Sequence, residues 1–181
     1  MKLVRHLTPG GPAYAAHRPD GSVHAVDGDI FGALRITERV VVLGKILVPI
    51  VPVDIYCIGA NYRKHIEECG PSAPQAPVLF LKPTSAAVAI NDPIEIPTKL
   101  ASHEVDYEGE LAVVIGKRCK NATRANALDF VLGYTCANDV TARDWQRKLG
   151  GGQWCAGKGF DTFCPLGPVL VTATKSAIRT R

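Results

Sequence analysis

The chain is organised as short apolar runs separated by turn residues. Runs of four to eight residues rich in Val, Ile and Leu are typical of strands, whereas a helix needs a longer pattern with a period near 3.6. The runs at 40–43 and 46–48 are too short and too β-branched to predict helices. Strands are predicted over 53–59, 78–81, 110–115, 131–137 and 166–172. The pattern therefore predicts a β-dominated α+β fold.

Helical signals are confined to three short segments. Asn61 is a suitable cap for a helix that ends at Cys69, before a Gly-Pro pair. The segment 125–130 is short and predicted helical. Residues 141–144 resemble a capping sequence for a helix through Leu149, which three glycines then end. The Pro-, Ser- and Ala-rich segment between the first helix and the strand at 78 is predicted to be a loop.

The turn signals divide the chain into two regions. Residues 1–50 hold short apolar patches separated by Pro- and Gly-rich turns, which predicts a small β-rich N-terminal lobe. The segment 49–52 resembles a crossover. Residues 51–181 then form the second and larger region.

Composition narrows the class of protein. The chain has 181 residues and a net charge of +4, with Lys and Arg scattered rather than clustered, so nucleic-acid binding is not expected. The six cysteines include no CxxC pair, and the N-terminus has no signal-peptide core, which favours a reduced intracellular compartment, cytoplasmic or mitochondrial. No apolar run reaches the length of a membrane span.

Three carboxylates stand at the ends of the two strongest strands. Glu108 and Glu110 are two residues apart at the start of one strand, so they project to the same side. Asp139 follows the other strand and joins them if the strands are neighbours. Oxygen ligands of this kind suit Mg²⁺ or Mn²⁺. The alternative is that all three are ordinary solvated acids.

Two further groups of residues are chemical candidates. His65 and Glu68 are three apart on the first helix and can act together in proton transfer, or form a simple surface pair. Lys158, between glycines, can approach an oxyanion or lie in a turn. Arg143 and Gln146 share a helical face, where the arginine can hold a substrate carboxylate or simply be exposed.

Five ordered segments, spread over residues 54–172, together resemble one known family. They are Gly59-Ala60-Asn61-Tyr62 with His65 and Glu68, Phe80-Leu81-Lys82-Pro83, Asp106-Tyr107-Glu108-Gly109-Glu110-Leu111, Asn138-Asp139 through Gln146, and Gly157-Lys158-Gly159-Phe160-Asp161-Thr162. In this set the chain is similar to the fumarylacetoacetate hydrolase-like family. Its segment from Lys158 to Pro168 is most similar to the branch of oxaloacetate tautomerases and hydroxyheptadienedioate isomerases.

The resemblance implies a fold, an assembly and a site. It implies a mixed β-sandwich roll as the catalytic domain and a homodimer as the working form. It also implies that Glu108, Glu110 and Asp139 bind Mg²⁺ or Mn²⁺. It places Lys158 and Gln146 near the substrate and Arg143 in contact with the substrate carboxylate. His65 and Glu68 are implied to form a proton-transfer pair on a lid.

Three functions remain open from the sequence. The first is a metal-dependent keto–enol tautomerase or isomerase of small 2-oxo or enol acids such as oxaloacetate. The second is a hydrolase or decarboxylase that breaks a C–C bond in acylpyruvate-like substrates. The third is an inactive product, because family members continue through further roll strands and a substrate loop, so that the roll is expected to be incomplete here. The tail 175–181 is polar and basic, unlike a strand pair.

Overall fold

The apolar runs form a large sheet and two small ones. The computed structural model describes residues 1–69 and 74–173, without the side chain of Cys69. The strands within these ranges are β1 Lys2–Thr8, β2 Gly11–His17, β3 Val23–Gly28, β4 Leu34–Val40, β5 Ile55–Gly59, β6 Val78–Lys82, β7 Ala87–Ala89, β8 Val105–Asp106, β9 Gly109–Ile115, β10 Val131–Asn138, β11 Thr141–Ala142 and β12 Cys164–Thr172. The helices are α1 Arg63–Cys69 and α2 Trp154–Lys158, with 3₁₀ turns at Thr84–Ala86 and Ala127–Phe130 and a π-helix at Trp145–Leu149.

Strand β12 connects the N-terminal strands to the rest of the large sheet. The order in this sheet is β4-β3-β2-β1-β12-β10-β9, and β7 pairs with β12 in parallel. The N-terminal meander is thus hydrogen-bonded to the later strands through Leu3 and Leu170, which are paired in register. Two-stranded sheets are formed by β5 with β6 and by β8 with β11. The β-dominated α+β fold is confirmed.

The core is divided among three clusters that lie along these sheets. The first packs Leu3 and Leu170 with apolar residues of both the meander and β9–β10. The second surrounds Cys164 on β12. The third packs Val140 against Phe163, which is fully buried. The third cluster lies directly beside Asp139, so the corner between β10 and β11 is held by close packing.

One face of strand β9 is apolar and exposed. Its outward side chains Leu111, Val113 and Ile115 are 59%, 50% and 55% exposed. Strand β9 also lies at the end of the strand order, so one of its edges has no strand beside it among the described residues. An exposed apolar face at a sheet edge is the kind of surface that proteins cover with other polypeptide.

The helical predictions hold with shifted bounds. The first helix begins at Arg63, two residues after the predicted cap Asn61, and 125–130 is a 3₁₀ turn at Ala127–Phe130. In the predicted capping segment 141–144, the first two residues form β11 and the last residue supplies the cap. Asp144 is the cap, accepting a hydrogen bond from the Trp145 backbone N–H at 2.9 Å. Its carboxylate also accepts bonds from Ser102 and His103, which fixes the start of the π-helix.

The expected loop and tail lie partly outside the described residues, at 70–73 and 174–181. Within the described ranges, Cys57, Cys119, Cys136, Cys155 and Cys164 are all free thiols. No helix in these ranges combines the length and apolar character that a membrane crossing needs.

Candidate metal centre and active site

The pairing of β9 with β10 brings the three predicted ligands together. Gly109 is opposite Asn138 in the register, and the Asp139 backbone N–H donates to the Glu108 carbonyl at 2.9 Å. One carboxylate oxygen from each of Glu108, Glu110 and Asp139 lies within 4.8 Å of the others. The set consists only of oxygen donors and one of its members is buried, so it fits a hard divalent cation such as Mg²⁺ or Mn²⁺.

Asp139 lies between two buried lysines. Its Oδ1 accepts a hydrogen bond from Lys82 Nζ at 2.7 Å, and its Oδ2 accepts one from Lys158 Nζ at 2.6 Å. All three side chains are 3% exposed or less. Burying an unpaired carboxylate would cost several kcal/mol, and the two ammonium groups offset that cost.

Lys158 is the last residue of α2 and reaches across the carboxylates. Besides Asp139, its Nζ donates to Glu108 Oε1 at 3.0 Å and to Thr141 Oγ1 at 2.7 Å. The ammonium also lies 4.9 Å from the centroid of the Phe80 ring. All three of its N–H donors are therefore used within the protein.

Arg143 is held by acidic neighbours. Its Nε and NH2 donate to Asp106 Oδ2 at 3.1 and 2.9 Å, and its NH1 lies 2.6 Å from Glu108 Oε1. NH1 also donates to Gln146 Oε1 at 3.1 Å. Burial alone would lower the pKa of Arg143, but the hydrogen bond to Asp106 and the charge of Glu108 outweigh burial and raise it. The hydrogen bond from Arg143 lowers the pKa of Asp106 in turn.

Glu110 is the predicted ligand without a close cation among the described contacts. Burial, and then the charges of Asp139 and Glu108, raise its pKa to about 6 from the usual 4.5. Carboxylates held this close together repel each other when all are charged. A divalent ion at this point would relieve the repulsion.

Replacing Glu110 by glutamine is expected to stabilise the chelated protein at pH 7. Because the folded-state pKa exceeds the unfolded value, folding is favoured by this group at low pH, and that advantage is lost as pH rises from 4.5 to about 6. With allowance for its partial exposure, we expect Glu110→Gln to add about 1 kcal/mol to the free energy of unfolding at pH 7 and nothing at pH 4.

Urea unfolding in chelator at the two pH values measures this effect. Glu67→Gln, at an exposed position of α1, is the control and should leave the free energy of unfolding unchanged at both pH values. The Glu110→Gln variant should also lose the stabilisation that Mg²⁺ gives the wild type. A Glu110→Gln protein that is less stable than wild type at pH 7 in chelator would contradict the repulsion described above.

A cavity of about 640 Å³ opens over this cluster. Its lining includes Glu108 and Glu110, the two side chains predicted to bind substrate, Arg143 and Gln146, and Lys158. It also includes a segment between β5 and α1 with Tyr62, whose hydroxyl accepts a bond from the Leu111 backbone N–H at 2.9 Å. The complete lining is Gly59, Ala60, Asn61, Tyr62, His65, Ile66, Phe80, Asp106, Tyr107, Glu108, Gly109, Glu110, Arg143, Gln146, Trp154 and Lys158.

The two predicted proton-transfer residues are placed differently. His65 lines the cavity, whereas Glu68 is exposed on α1 and is not among the lining residues. Seven of the eight predicted site residues therefore converge on one place, either in the cavity wall or, for Asp139, immediately beneath it. Bringing Glu68 to the same place requires α1 to turn.

Three residues of the cluster are not predicted from the sequence to have a role in the site. Lys82, Asp106 and Thr141 lie in segments that carry the family resemblance, but their contacts with Asp139, Arg143 and Lys158 appear only in the structure. Trp154 also lines the cavity and meets Phe80 edge-on with centroids 5.7 Å apart. The available signal for Lys82 was its position at the end of an apolar strand. A lysine that is buried there needs an anionic partner.

Two thiols beneath the site are expected to be chemically inert. Burial and then the charge of Asp139 raise the pKa of Cys57 to about 12, and burial raises that of Cys164 to about 11. With roughly one Cys57 thiol in 10⁴ ionised at pH 8, iodoacetamide should modify it at least 100-fold more slowly than the exposed Cys119 and Cys136. Time-resolved mass spectrometry measures the rates, and all sites should become similar in denaturant. Equal rates in the native protein would contradict the burial.

Comparison with known proteins shows the family to which the chain belongs. The family model described as fumarylacetoacetate (FAA) hydrolase C-terminal matches residues 54–180, and a model described as Rv2993c-like, N-terminal matches residues 1–47. The chain therefore belongs to the fumarylacetoacetate hydrolase family, with an Rv2993c-like N-terminal region.

Three relatives illustrate the match. "Oxaloacetate tautomerase fahd2, mitochondrial" of Xenopus laevis is 54% identical over 129 residues, which are 71% of this chain and 40% of that protein. "Protein Rv2993c" of Mycobacterium tuberculosis is 41% identical over 180 residues, 95% of this chain and 66% of that protein. The crystal structure of a 5-carboxymethyl-2-hydroxymuconate delta-isomerase from Mycobacterium smegmatis has a TM-score of 0.82 at 42% identity, covering 97% of this chain and 68% of that one.

The structural match confirms the fold, since a large antiparallel sheet with few helices is shared with solved members of the family. The chain spans between 40% and 66% of the length of the first three curated relatives that it matches.

Proposed function

We propose that this protein is a divalent-metal-dependent tautomerase or isomerase of small 2-oxo acids, with an oxaloacetate-like substrate. The observation that carries the proposal is the group of three carboxylates within 4.8 Å of one another, beside a cavity that also holds cationic side chains. The names of the relatives support the reaction class, because they include an oxaloacetate tautomerase and an isomerase of an unsaturated hydroxy acid.

Glu108, Glu110 and Asp139 would hold the metal, either Mg²⁺ or Mn²⁺. When bound, the ion supplies a Lewis acid that polarises the carbonyl of a 2-oxo acid and so acidifies the neighbouring C–H group. The protein supplies the oxygen ligands, the counter-charges around them and the cavity that excludes bulk water.

Three residues of the cavity wall would bind and polarise the substrate. Lys158 would donate a hydrogen bond to the oxygen that becomes negative as the enol form develops. Because all of its donors are engaged, the substrate oxygen must replace one partner, and the 3.0 Å bond to Glu108 is the longest of the three. Gln146 and Arg143, which line the same cavity, would bind the substrate carboxylate.

His65 and Glu68 would move the proton at C3 of the substrate. In the keto form Glu68 would take the proton from C3 while His65 orients its carboxylate. The carbonyl oxygen, hydrogen-bonded to Lys158, would take a proton from solvent to complete the enol, and Glu68 would release its own proton to solvent. In the reverse direction Glu68 would give a proton to C3 as the enol O–H loses one. This step requires α1 to bring Glu68 over the cavity, since its side chain is exposed in the structure.

The function is tested with the 181-residue chain and enol-oxaloacetate, whose disappearance is followed by ultraviolet absorbance. Decay well above the spontaneous rate in Mg²⁺, abolished by excess chelator and restored by more Mg²⁺, is the expected result. If decay stays at background while the chain binds Mg²⁺, the tautomerase proposal is wrong. Cleavage of an acylpyruvate by the same sample would then favour the C–C hydrolase.

Glu68→Gln tests the proton-transfer role. We expect the turnover number to fall by a factor of about 10² to 10⁴, because a general base typically contributes that much, while Mg²⁺ affinity is unchanged. Glu67→Gln removes the same charge from the neighbouring position of α1 and should leave turnover unaffected. Turnover numbers that are equal in the two variants would remove Glu68 from the mechanism.

We also propose that the working form is a homodimer in a reduced intracellular compartment. The exposed apolar face of β9 supports association, and the free thiols among the described residues support the compartment. Light scattering over a range of protein concentrations measures the oligomeric state. A chain that stays monomeric at all concentrations would contradict the proposed homodimer.

A further inference from the structure

Lys82 is a buried cation that the proposed reaction leaves without a role. Its side chain is 1% exposed, and it is the last residue of β6, on a different sheet from the ligands. It is not among the residues that line the cavity, so it is not placed to touch a substrate. Its Nζ instead donates to Asp139 Oδ1 at 2.7 Å and to the Val140 carbonyl at 3.1 Å.

The two contacts of Lys82 fix the direction of the Asp139 carboxylate. The bond to the Val140 backbone ties the ammonium group to the corner between β10 and β11, so the ammonium cannot follow a rotating carboxylate. The bond to Oδ1 then holds that oxygen on the side away from Lys158. Oδ2 is left on the side of Lys158, which lines the cavity.

We propose that Lys82 is a positioning residue for the metal centre, one that orients Asp139 so that its carboxylate can ligate a divalent cation. The inference rests on the proposed function, because it assumes that Asp139 is a ligand. Partners that hydrogen-bond to a ligand from behind set its orientation, and their loss typically weakens metal binding 10- to 100-fold.

The direction in which Mg²⁺ affinity changes when Lys82 is removed distinguishes a positioning role from a purely electrostatic one. A positive charge bonded to a ligand repels a cation, so if only the charge of Lys82 mattered, removing it would tighten Mg²⁺ binding. If Lys82 orients Asp139, removing it leaves the carboxylate held only through Oδ2, by Lys158 at 2.6 Å, so that Oδ1 can swing about that bond and Mg²⁺ binding weakens. The two roles therefore predict opposite changes in the dissociation constant.

The chain offers a matched control for this experiment. Lys45 Nζ is 2.7 Å from Asp92 Oδ1, the same separation as in the Lys82–Asp139 pair, but the Lys45 side chain is 59% exposed. Lys45→Met removes the same charge and the same kind of contact at a position outside the cavity lining.

The test is calorimetric titration of Mg²⁺ into wild type, Lys82→Met and Lys45→Met at one pH and ionic strength, after circular dichroism has verified the fold. We expect at least 10-fold weaker binding for Lys82→Met and a change below twofold for Lys45→Met. Equal or tighter binding by folded Lys82→Met would overturn the inference. A wild type that takes up no Mg²⁺ would overturn the metal centre itself, which is a separate failure.

A second variant covers the case in which Lys82→Met does not fold. Lys82→Gln keeps a hydrogen-bond donor but lacks the charge and one atom of length, so it cannot hold Asp139 at the same point. We expect it to bind Mg²⁺ at least 10-fold more weakly than wild type. Wild-type or tighter affinity in folded Lys82→Gln would again overturn the inference.

Discussion

Asp139→Asn is expected to abolish Mg²⁺ binding and to lower the free energy of unfolding by about 3–5 kcal/mol. The amide keeps the size of the side chain but removes the negative charge that Lys82 and Lys158 share. Counted as whole residues, these two lysines are 3% and 1% exposed. Two buried ammonium groups then face a neutral group with a single acceptor oxygen. Their repulsion, no longer offset, accounts for the loss of stability.

Urea unfolding and Mg²⁺ titration measure the two effects. Asp92→Asn is the matched control, because its pair with Lys45 has the same 2.7 Å separation but is partly exposed to solvent. Exposed pairs contribute at most about 1 kcal/mol, so the control should lose no more than that and should bind Mg²⁺ normally. Equal losses in the two variants would mean that Asp139 is not the centre of a buried charge network.

The second large effect is expected from Gly157→Ala. A Cβ at this position would lie 2.5 Å from the Gln146 backbone nitrogen and 2.6 Å from the Ala142 carbonyl oxygen. Both are backbone atoms, so α2 must move away from the π-helix to make room. We expect a loss of about 1–3 kcal/mol in stability, typical of overpacking.

The displacement should impair the site more than the fold. Gly157 immediately precedes Lys158, so a shift of α2 carries the ammonium away from Glu108 and Asp139. We expect at least a 100-fold loss of tautomerase turnover, because a shift of about 1 Å is enough for that. Gly10→Ala is the control, since its Cβ meets nothing closer than 3.8 Å. A Gly157→Ala protein with wild-type turnover would contradict the close approach.

The strands and the clustering of the three carboxylates could be predicted from the sequence because both depend on local pattern. Successive residues of β9 alternate between exposed and half-buried along the whole strand, and the ExE spacing follows the same period of two. The resemblance of five ordered segments then indicated which neighbours meet. The bounds of these strands differ from the prediction by no more than two residues.

The features that the sequence did not reveal depend on contacts between distant segments. Lys82 and Asp139 are 57 residues apart, and nothing in the spacing around either one identifies the partner. The bonds from Ser102 and His103 to Asp144, the cap of the π-helix, are also contacts between distant segments. The position of Glu68 outside the cavity lining likewise could not be predicted, because spacing within a helix does not determine how that helix lies on the cavity.

The buried lysines affect the order in which the chain folds and takes up a metal ion. Many small metalloproteins are unfolded until their ion arrives, because only the ion neutralises the ligands. Here Lys158 lies across Glu108 and Asp139 at 3.0 and 2.6 Å, so the chain supplies its own counter-charge. We expect folding to precede loading, and repeated cycles of chelation and Mg²⁺ addition to leave the far-ultraviolet circular dichroism spectrum unchanged. The cation would then be an exchangeable partner whose occupancy follows its free concentration in the cell.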